Sequence, residues 1–263
     1  IQSLEASAEY ADEQYQATLN LSATGPMGDS TLDTRVDGDL QSVKLTELMM
    51  TTGAGSLQGE AEVGFAERVN WQADLTLQDF NPGFWVPQAT ASISGSVASR
   101  GQLDAEGRPD FTANWDLDGQ WQDAPLASQG QMEAAAGQWR IPEVQASIGD
   151  NRLTASVQLQ DPLGPSGELS VEGTLELPEP GLIVPGLAGT LNGTVSLSGP
   201  IRLPRGNLDL SARSLAWQDQ VSIGSLDLQA RLDESQSLNA GLTVSSLQAG
   251  GQTVEQAEAD LQG

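Results

Sequence analysis

Glu168–Leu177 reads ELSVEGTLEL, and its spacing decides the fold class. Leu169, Val171, Gly173, Leu175 and Leu177 fall at every second position, with Ser170, Glu172, Thr174 and Glu176 between them. Successive side chains of a β-strand point to opposite faces, so this period of two gives an extended segment one apolar and one polar face. A helix would need apolar spacing of three and four. The same alternation recurs along the chain. In Thr190–Gly199, Leu191, Gly193, Val195 and Leu197 oppose Thr190, Asn192, Thr194, Ser196 and Ser198. Leu226, Leu228, Ala230 and Leu232 oppose Asp227, Gln229, Arg231 and Asp233, and the pairs Leu19/Leu21, Leu75/Leu77 and Leu208/Leu210 repeat the theme.

Turn signals separate these runs. Gly25-Pro26, Asp118-Gly119, Gly164-Pro165, Gly199-Pro200 and Gly250-Gly251 are turn or loop dipeptides. Thirteen prolines break any long helix. Near the start, Ile1, Leu4, Ala8, Ala11 and Tyr15 also fit a helical face, which leaves residues 1–15 open between helix and strand. Val254, Ala257 and Leu261 fit one too, but they follow a Gly-Gly turn after a clear strand, and the expectation is a hairpin partner.

The chain also repeats itself. Pro82–Val97, PGFWVPQATASISGSV, aligns without a gap to Pro180–Val195, PGLIVPGLAGTLNGTV, 98 residues later. Trp121-Gln122-Asp123 recurs as Trp217-Gln218-Asp219, and Leu57–Val63 as Leu153–Leu159, both at a spacing of 96. Repeats at fixed spacing indicate stacked units or an array. The expectation is one continuous β-rich segment of a longer protein over residues 1–263, with repeats of about 98 residues at approximately 1–82 (partial), 83–180 and 181–263 (partial). In the twin phrases, the first half is expected to be a crossover loop, with Val86-Pro87 extended. The second half is expected to start a strand.

Composition removes several functions. The 36 acidic residues outweigh the 11 basic ones, for a net charge of −25, and Lys44 is the single lysine. Such a chain is repelled by nucleic-acid phosphates and by anionic membrane surfaces, so no nucleic-acid partner is expected. At 38% hydrophobic residues, regularly placed, it is not a disordered acidic tail. With no cysteine it is not a small disulfide-stapled scaffold. With no histidine it lacks the commonest metal ligand and general base, and Ser–His or Cys–His catalysis within the chain is excluded. Neither an enzyme nor a cofactor is expected. The most apolar run, Gly181–Pro185, is far too short to cross a membrane as a helix.

Something must cover the apolar faces of these strands, because a soluble monomer rarely exposes a large apolar patch. A sandwich, a closed barrel or an open trough around an apolar ligand would each do so. Aromatic residues, which dominate packed cores, are only 5% here. Gly95, Gly173 and Gly193 lie on the apolar parity itself, where they remove packing area and permit bends. A thin lining with bend points favours the trough.

Specific phrases sharpen this reading. Pro185-Gly186-Leu187 through Leu191-Asn192-Gly193 carries a Pro-Gly-Leu-x-Gly-x-Leu-x-Gly rhythm, followed by Leu197-Ser198-Gly199-Pro200. Asp79-Phe80-Asn81-Pro82 leads into Ile93-Ser94-Gly95, and Asn207-Leu208-Asp209-Leu210 runs on to Trp217 and then Ile223–Leu228. The chain resembles the AsmA-like/TamB family over most of its length, best from about Asp79 to Gly263. That resemblance implies a β-taco: an elongated, curved antiparallel sheet forming an open trough with an apolar interior. It also implies a periplasmic location in a Gram-negative cell, with the full-length protein held in the inner membrane by an N-terminal anchor. An Omp85-family outer-membrane partner (TamA-like) is implied as well. The implied function is phospholipid transport between the two membranes in support of outer-membrane biogenesis, or assistance to outer-membrane protein assembly. Tandem β-sandwich domains of a surface adhesin are the alternative, since 98 residues is close to an immunoglobulin-like domain.

In the trough reading, Ile93, Val97, Leu169, Val171, Leu175, Leu177, Leu191, Val195, Leu197, Leu208, Leu210, Leu226 and Leu228 face phospholipid acyl chains. An ordinary dry core would use the same parity, and burial stabilises each such side chain by about 1.5–3 kcal/mol either way. Roughly 20 strands at about 4.8 Å each would extend on the order of 95 Å. Trp121 and Trp217 are expected to pack at strand ends. Asp37-Gly38-Asp39 and Asp116-Leu117-Asp118 lack the spacing of a calcium loop and are read as solvated turn acids, so no metal site is expected.

Overall fold

The alternating runs become strands, and the strands meet in chain order. The computed structural model describes residues 2–263 apart from 26–27, 54, 85–90, 163, 165, 219 and 234–236. The chain divides into two compact units, Ile1–Ala136 and Gly137–Gly263.

The first unit holds β1 (Ser3–Ala11), β2 (Gln14–Gly25), β3 (Gly28–Gly38), β4 (Ser42–Thr51), β5 (Ser56–Gly64), β6 (Asn70–Phe80), β7 (Ala91–Leu103), β8 (Pro109–Trp121) and β9 (Ala124–Ala135). Each strand pairs antiparallel with the next. The second unit holds β10 (Gln138–Ile148), β11 (Asn151–Gln160), β12 (Glu168–Leu177), β13 (Leu187–Pro200), β14 (Arg205–Trp217), β15 (Val221–Leu232), β16 (Leu238–Ala249) and β17 (Gln252–Gln262), again antiparallel in sequence order. The chain is therefore all-β, with 17 strands among the described residues against the roughly 20 expected, and its helical content is two single turns, Pro82–Phe84 and Pro180–Leu182. The N-terminal ambiguity resolves to strand. β1 and β2 join through Asp12 and Glu13, both with positive φ, the backbone a tight right-twisted hairpin requires. Gly250-Gly251 makes the β16–β17 hairpin in the same way.

Among the described residues neither unit contains a second sheet, and substantial contacts join each strand only to its neighbours in sequence. The sandwich alternative is thereby set aside. The surface agrees. The chain exposes 16013 Å². A compact chain of this mass would expose about 11,000 Å², and two separate compact halves together about 13,000 Å². The surplus is surface that a second layer would hide. The buried apolar side chains among the described residues are Pro180 and four alanines, Ala91, Ala124, Ala134 and Ala212.

In each unit the described residues of the repeated phrase begin with a helical turn and end in a strand. A helical turn at Pro82–Phe84 precedes β7, and one at Pro180–Leu182 precedes β13. Polar clasps hold both. Asn81 accepts hydrogen bonds from the backbone N–H of Gly83 (2.9 Å) and Ala91 (3.3 Å). Asn151, 1% exposed, donates to the Glu179 carbonyl (2.8 Å) and accepts from the Glu179 N–H (2.9 Å). The expectations for Trp85, Val86-Pro87, Pro26, Pro165 and Asp219 fall outside the described residues.

One turn reading is corrected. Asp118-Gly119 lies inside β8. Gly119 (φ +154°) is needed there because a Cβ would stand 1.9 Å from the Ser92 carbonyl oxygen of β7. Close strand approach, rather than a reversal, explains the glycine.

Candidate functional site

Residues directly opposite in an antiparallel ladder share a face, so the registers sort the second unit without ambiguity. One row runs Leu153, Leu175, Gly193, Leu210, Leu228, Leu242 across β11 to β16. The next runs Ala155, Gly173, Val195, Leu208, Ala230, Ala240. On one side of them lies Val157, Val171, Leu197, Gly206, and on the other Leu177, Leu191, Ala212, Leu226, Val244. Leu169 sits between Leu159 and Gly199. The eleven proposed lining residues of this unit thus share one face. All are half-buried except Leu208, which is 38% exposed. In the first unit Ile93 lies opposite Phe80 and Gly119, and Val97 opposite Leu75 and Trp115, again on one face.

Polar residues of the same strands take the other face. Ser170, Glu172, Thr174 and Glu176 are all exposed. An open hollow of about 310 Å³ in the second unit is lined by Thr174, Glu176, Asn192, Thr194, Asp209, Ser211, Asp227 and Gln229 and by the Leu175, Gly193, Leu210 and Leu228 positions between them. Arg213 bridges Asp227 at 3.0 Å and Lys44 approaches Glu60 at 3.6 Å, both on exposed side chains. The polar face keeps the sheet hydrated, and each such exposed pair adds little stability.

Of the acids considered for calcium, Asp39 is occupied by its own turn. It accepts from the N–H groups of Gln41 and Ser42, both at 2.7 Å, and these bonds, led by Gln41, hold its carboxyl below the usual range. Asp104 behaves alike, lowered first by the Arg108 N–H. Asp116 and Asp118 lie within β8 rather than in a turn. Among the described residues no group of three or more metal-capable side chains gathers.

The registers also reveal lining positions that strict alternation misses. β4 carries Val43 and Leu45, then Leu48 and Met50, with Glu47 (φ +54°) as the extra residue at a register shift. β6 passes from Leu77 to Phe80 around Asp79 (φ +50°). In the second unit Ser214 (φ +51°), Gly224 and Ser246 (φ +52°) lie in line across β14, β15 and β16. Beyond them the apolar face passes to the other parity and continues as Leu215, Ile223 and Leu247, all half-buried. Inserted residues of this kind bend a strand and re-aim its side chains. The sequence signal is two polar or small residues between apolar ones inside a strand, as in Leu45-Thr46-Glu47-Leu48 or Val244-Ser245-Ser246-Leu247. Trp121 and Trp217 stand at the ends of β8 and β14; Trp121 is half-buried there, whereas Trp217 is 40% exposed.

A family model described as the N-terminal domain of TamB matches residues 2–263. The chain is 30% identical over 198 residues to the translocation and assembly module subunit TamB of Haemophilus influenzae, an alignment covering 72% of this chain and 14% of that protein. No solved structure matches the chain. No helix among the described residues is long and apolar enough to cross a membrane.

Proposed function

Since the chain belongs to the TamB family, we propose that its apolar sheet face is a lipid-carrying lining and that the chain works as part of a translocation and assembly module. The observation that carries the reading is the face itself: rows of Leu, Val, Ala and Gly in register across successive strands, with no covering layer among the described residues of either unit. An acyl chain laid across these rows removes apolar surface on both partners from water, at about 25 cal/mol per Å². Its head group stays hydrated beyond the rim. Lengthening the sheet by further repeats lengthens the lining without changing its chemistry.

The same proposal places the chain in the periplasm. Contact with a TamA-like Omp85-family partner and with the inner membrane would be made by regions of the full-length protein other than this one. A role as a scaffold for outer-membrane proteins would use strand edges rather than the face, and the two roles separate experimentally. Replacing Val171 and Val195 with Asp in the full-length protein puts charge on the face and leaves every edge intact. Loss of phospholipid transport at unchanged expression is the expected result. Undiminished transport with both charges in place would refute the lining.

A further inference from the structure

Two tryptophans of the first unit are held by one recurring device. Trp71 of β6 lies opposite Gly101 of β7, and Trp115 of β8 lies opposite Gly130 of β9. In each case the indole Nε1–H donates at 3.1 Å to a serine two residues before that glycine, Ser99 or Ser128. The bond lays the ring along the neighbouring strand and over the glycine. A Cβ on Gly101 would come within 2.7 Å of the Trp71 ring, and one on Gly130 within 2.3 Å of the Trp115 ring. Phe111 faces Gly101 from β8, and its ring centroid stands 6.1 Å from that of Trp71, tilted by 45°. All three rings are half-buried, so part of each remains open. The glycines of the second unit carry no such cover: Gly173 and Gly193 have Val195 and Leu210 as their nearest side chains, at 3.3 and 3.2 Å.

This geometry selects a kind of ligand. The N–H is the one polar atom of an indole, and both are already spent on serines. The rings therefore offer a fixed, apolar surface with no free donor. A polypeptide strand laid on them would strand its own N–H and C=O groups. An alkyl chain has none to strand, and it gains more contact from an aromatic ring than from a leucine–glycine step. We infer that Trp71, Phe111 and Trp115 form a station at which the first unit retains a single alkyl chain, and that the two Ser-x-Gly segments exist to fix its rings. The inference rests on the lining proposed above and adds where along it a chain is held.

Stearic acid dibrominated at mid-chain quenches indole emission on contact and serves as the probe. The 263-residue chain with Trp85, Trp121, Trp139 and Trp217 replaced by Phe emits only from Trp71 and Trp115. Saturable loss of most of that emission is expected. The loss should weaken in Gly130→Ala, which displaces one ring, and in Ser128→Ala, which frees its indole without touching the backbone. Unquenched emission while mass spectrometry finds probe bound to the same protein would overturn the station and leave the lining standing. Absence of both quenching and bound probe would remove the two together.

Discussion

Gly95 and Gly193 are twins in the repeated phrase, 98 residues apart, yet alanine should act oppositely at the two sites. Gly95 sits at φ +128°, and a Cβ there would stand 2.1 Å from the Asp116 carbonyl oxygen and 2.9 Å from the Leu117 Cα. Holding an L-residue at positive φ costs about 1–2 kcal/mol. The clash is with backbone, so β7 and β8 must part locally, and losing two ladder hydrogen bonds costs roughly 2 kcal/mol more. Gly95→Ala should therefore destabilise by about 3–4 kcal/mol, a large share of the 5–15 kcal/mol typical of a domain. For a unit of this size that is a fall of roughly 10–15 °C in Tm. Gly193 is different. Its would-be Cβ meets only the flexible end of Leu210 at 3.2 Å and the Asp209 carbonyl oxygen at 3.5 Å. Leu210 can yield a few tenths of an ångström, and the lost freedom of the unfolded chain returns about 0.4–1 kcal/mol. Gly193→Ala should be neutral or slightly stabilising. Urea and thermal melts followed by circular dichroism read both. Equal losses at the two sites would refute the reasoning from close strand approach.

Other consequences are as direct. Asn151→Ala removes both hydrogen bonds to Glu179 and should cost about 2–4 kcal/mol in urea unfolding; a change under about 0.5 kcal/mol, the scale of an ordinary surface substitution, would contradict the clasp. Asp39 has a folded pKa below its ordinary 3.8, so its stabilising effect is present above that value and lost as pH falls through the lowered one. Protection of the Gln41 and Ser42 amides, measured against their intrinsic exchange at each pH, should fall on acidification through that window, and Asp39→Asn should abolish the step. The net charge of −25 predicts that salt raises the urea midpoint by screening self-repulsion; a midpoint that falls with salt would contradict it.

Much of the fold was legible because a period of two has one structural meaning. ELSVEGTLEL is β12 with its leucines and valine half-buried and its acids exposed, as the spacing requires. The thirteen lining candidates fall on one face within their units because parity is conserved wherever the ladder is regular. Legibility fails where the ladder is not regular. Leu215, Ile223 and Leu247 lie beyond inserted residues that reverse parity, and no count of alternating positions reaches them. Asp118-Gly119 has the composition of a turn, and only the approach of the Ser92 carbonyl shows why a strand needs that glycine. The tryptophan–serine–glycine device spans two strands, so its spacing appears only once the register is known. The twin phrases also hide a difference: Asn151 clasps one crossover from a neighbouring strand, whereas Asn81 clasps the other from within.

The central claim is that the uncovered apolar face carries lipid. Its most direct test is lipid extraction and mass spectrometry of the folded chain purified without detergent from a cell envelope, beside the Val171→Asp, Val195→Asp variant. Both sites are half-buried, so the two charges should leave the chain folded, while a carboxylate under an acyl chain loses several kcal/mol of hydration. The account predicts co-purified phospholipid in the parent and its loss in the folded variant. A folded parent free of phospholipid, or equal lipid in both proteins, would contradict it.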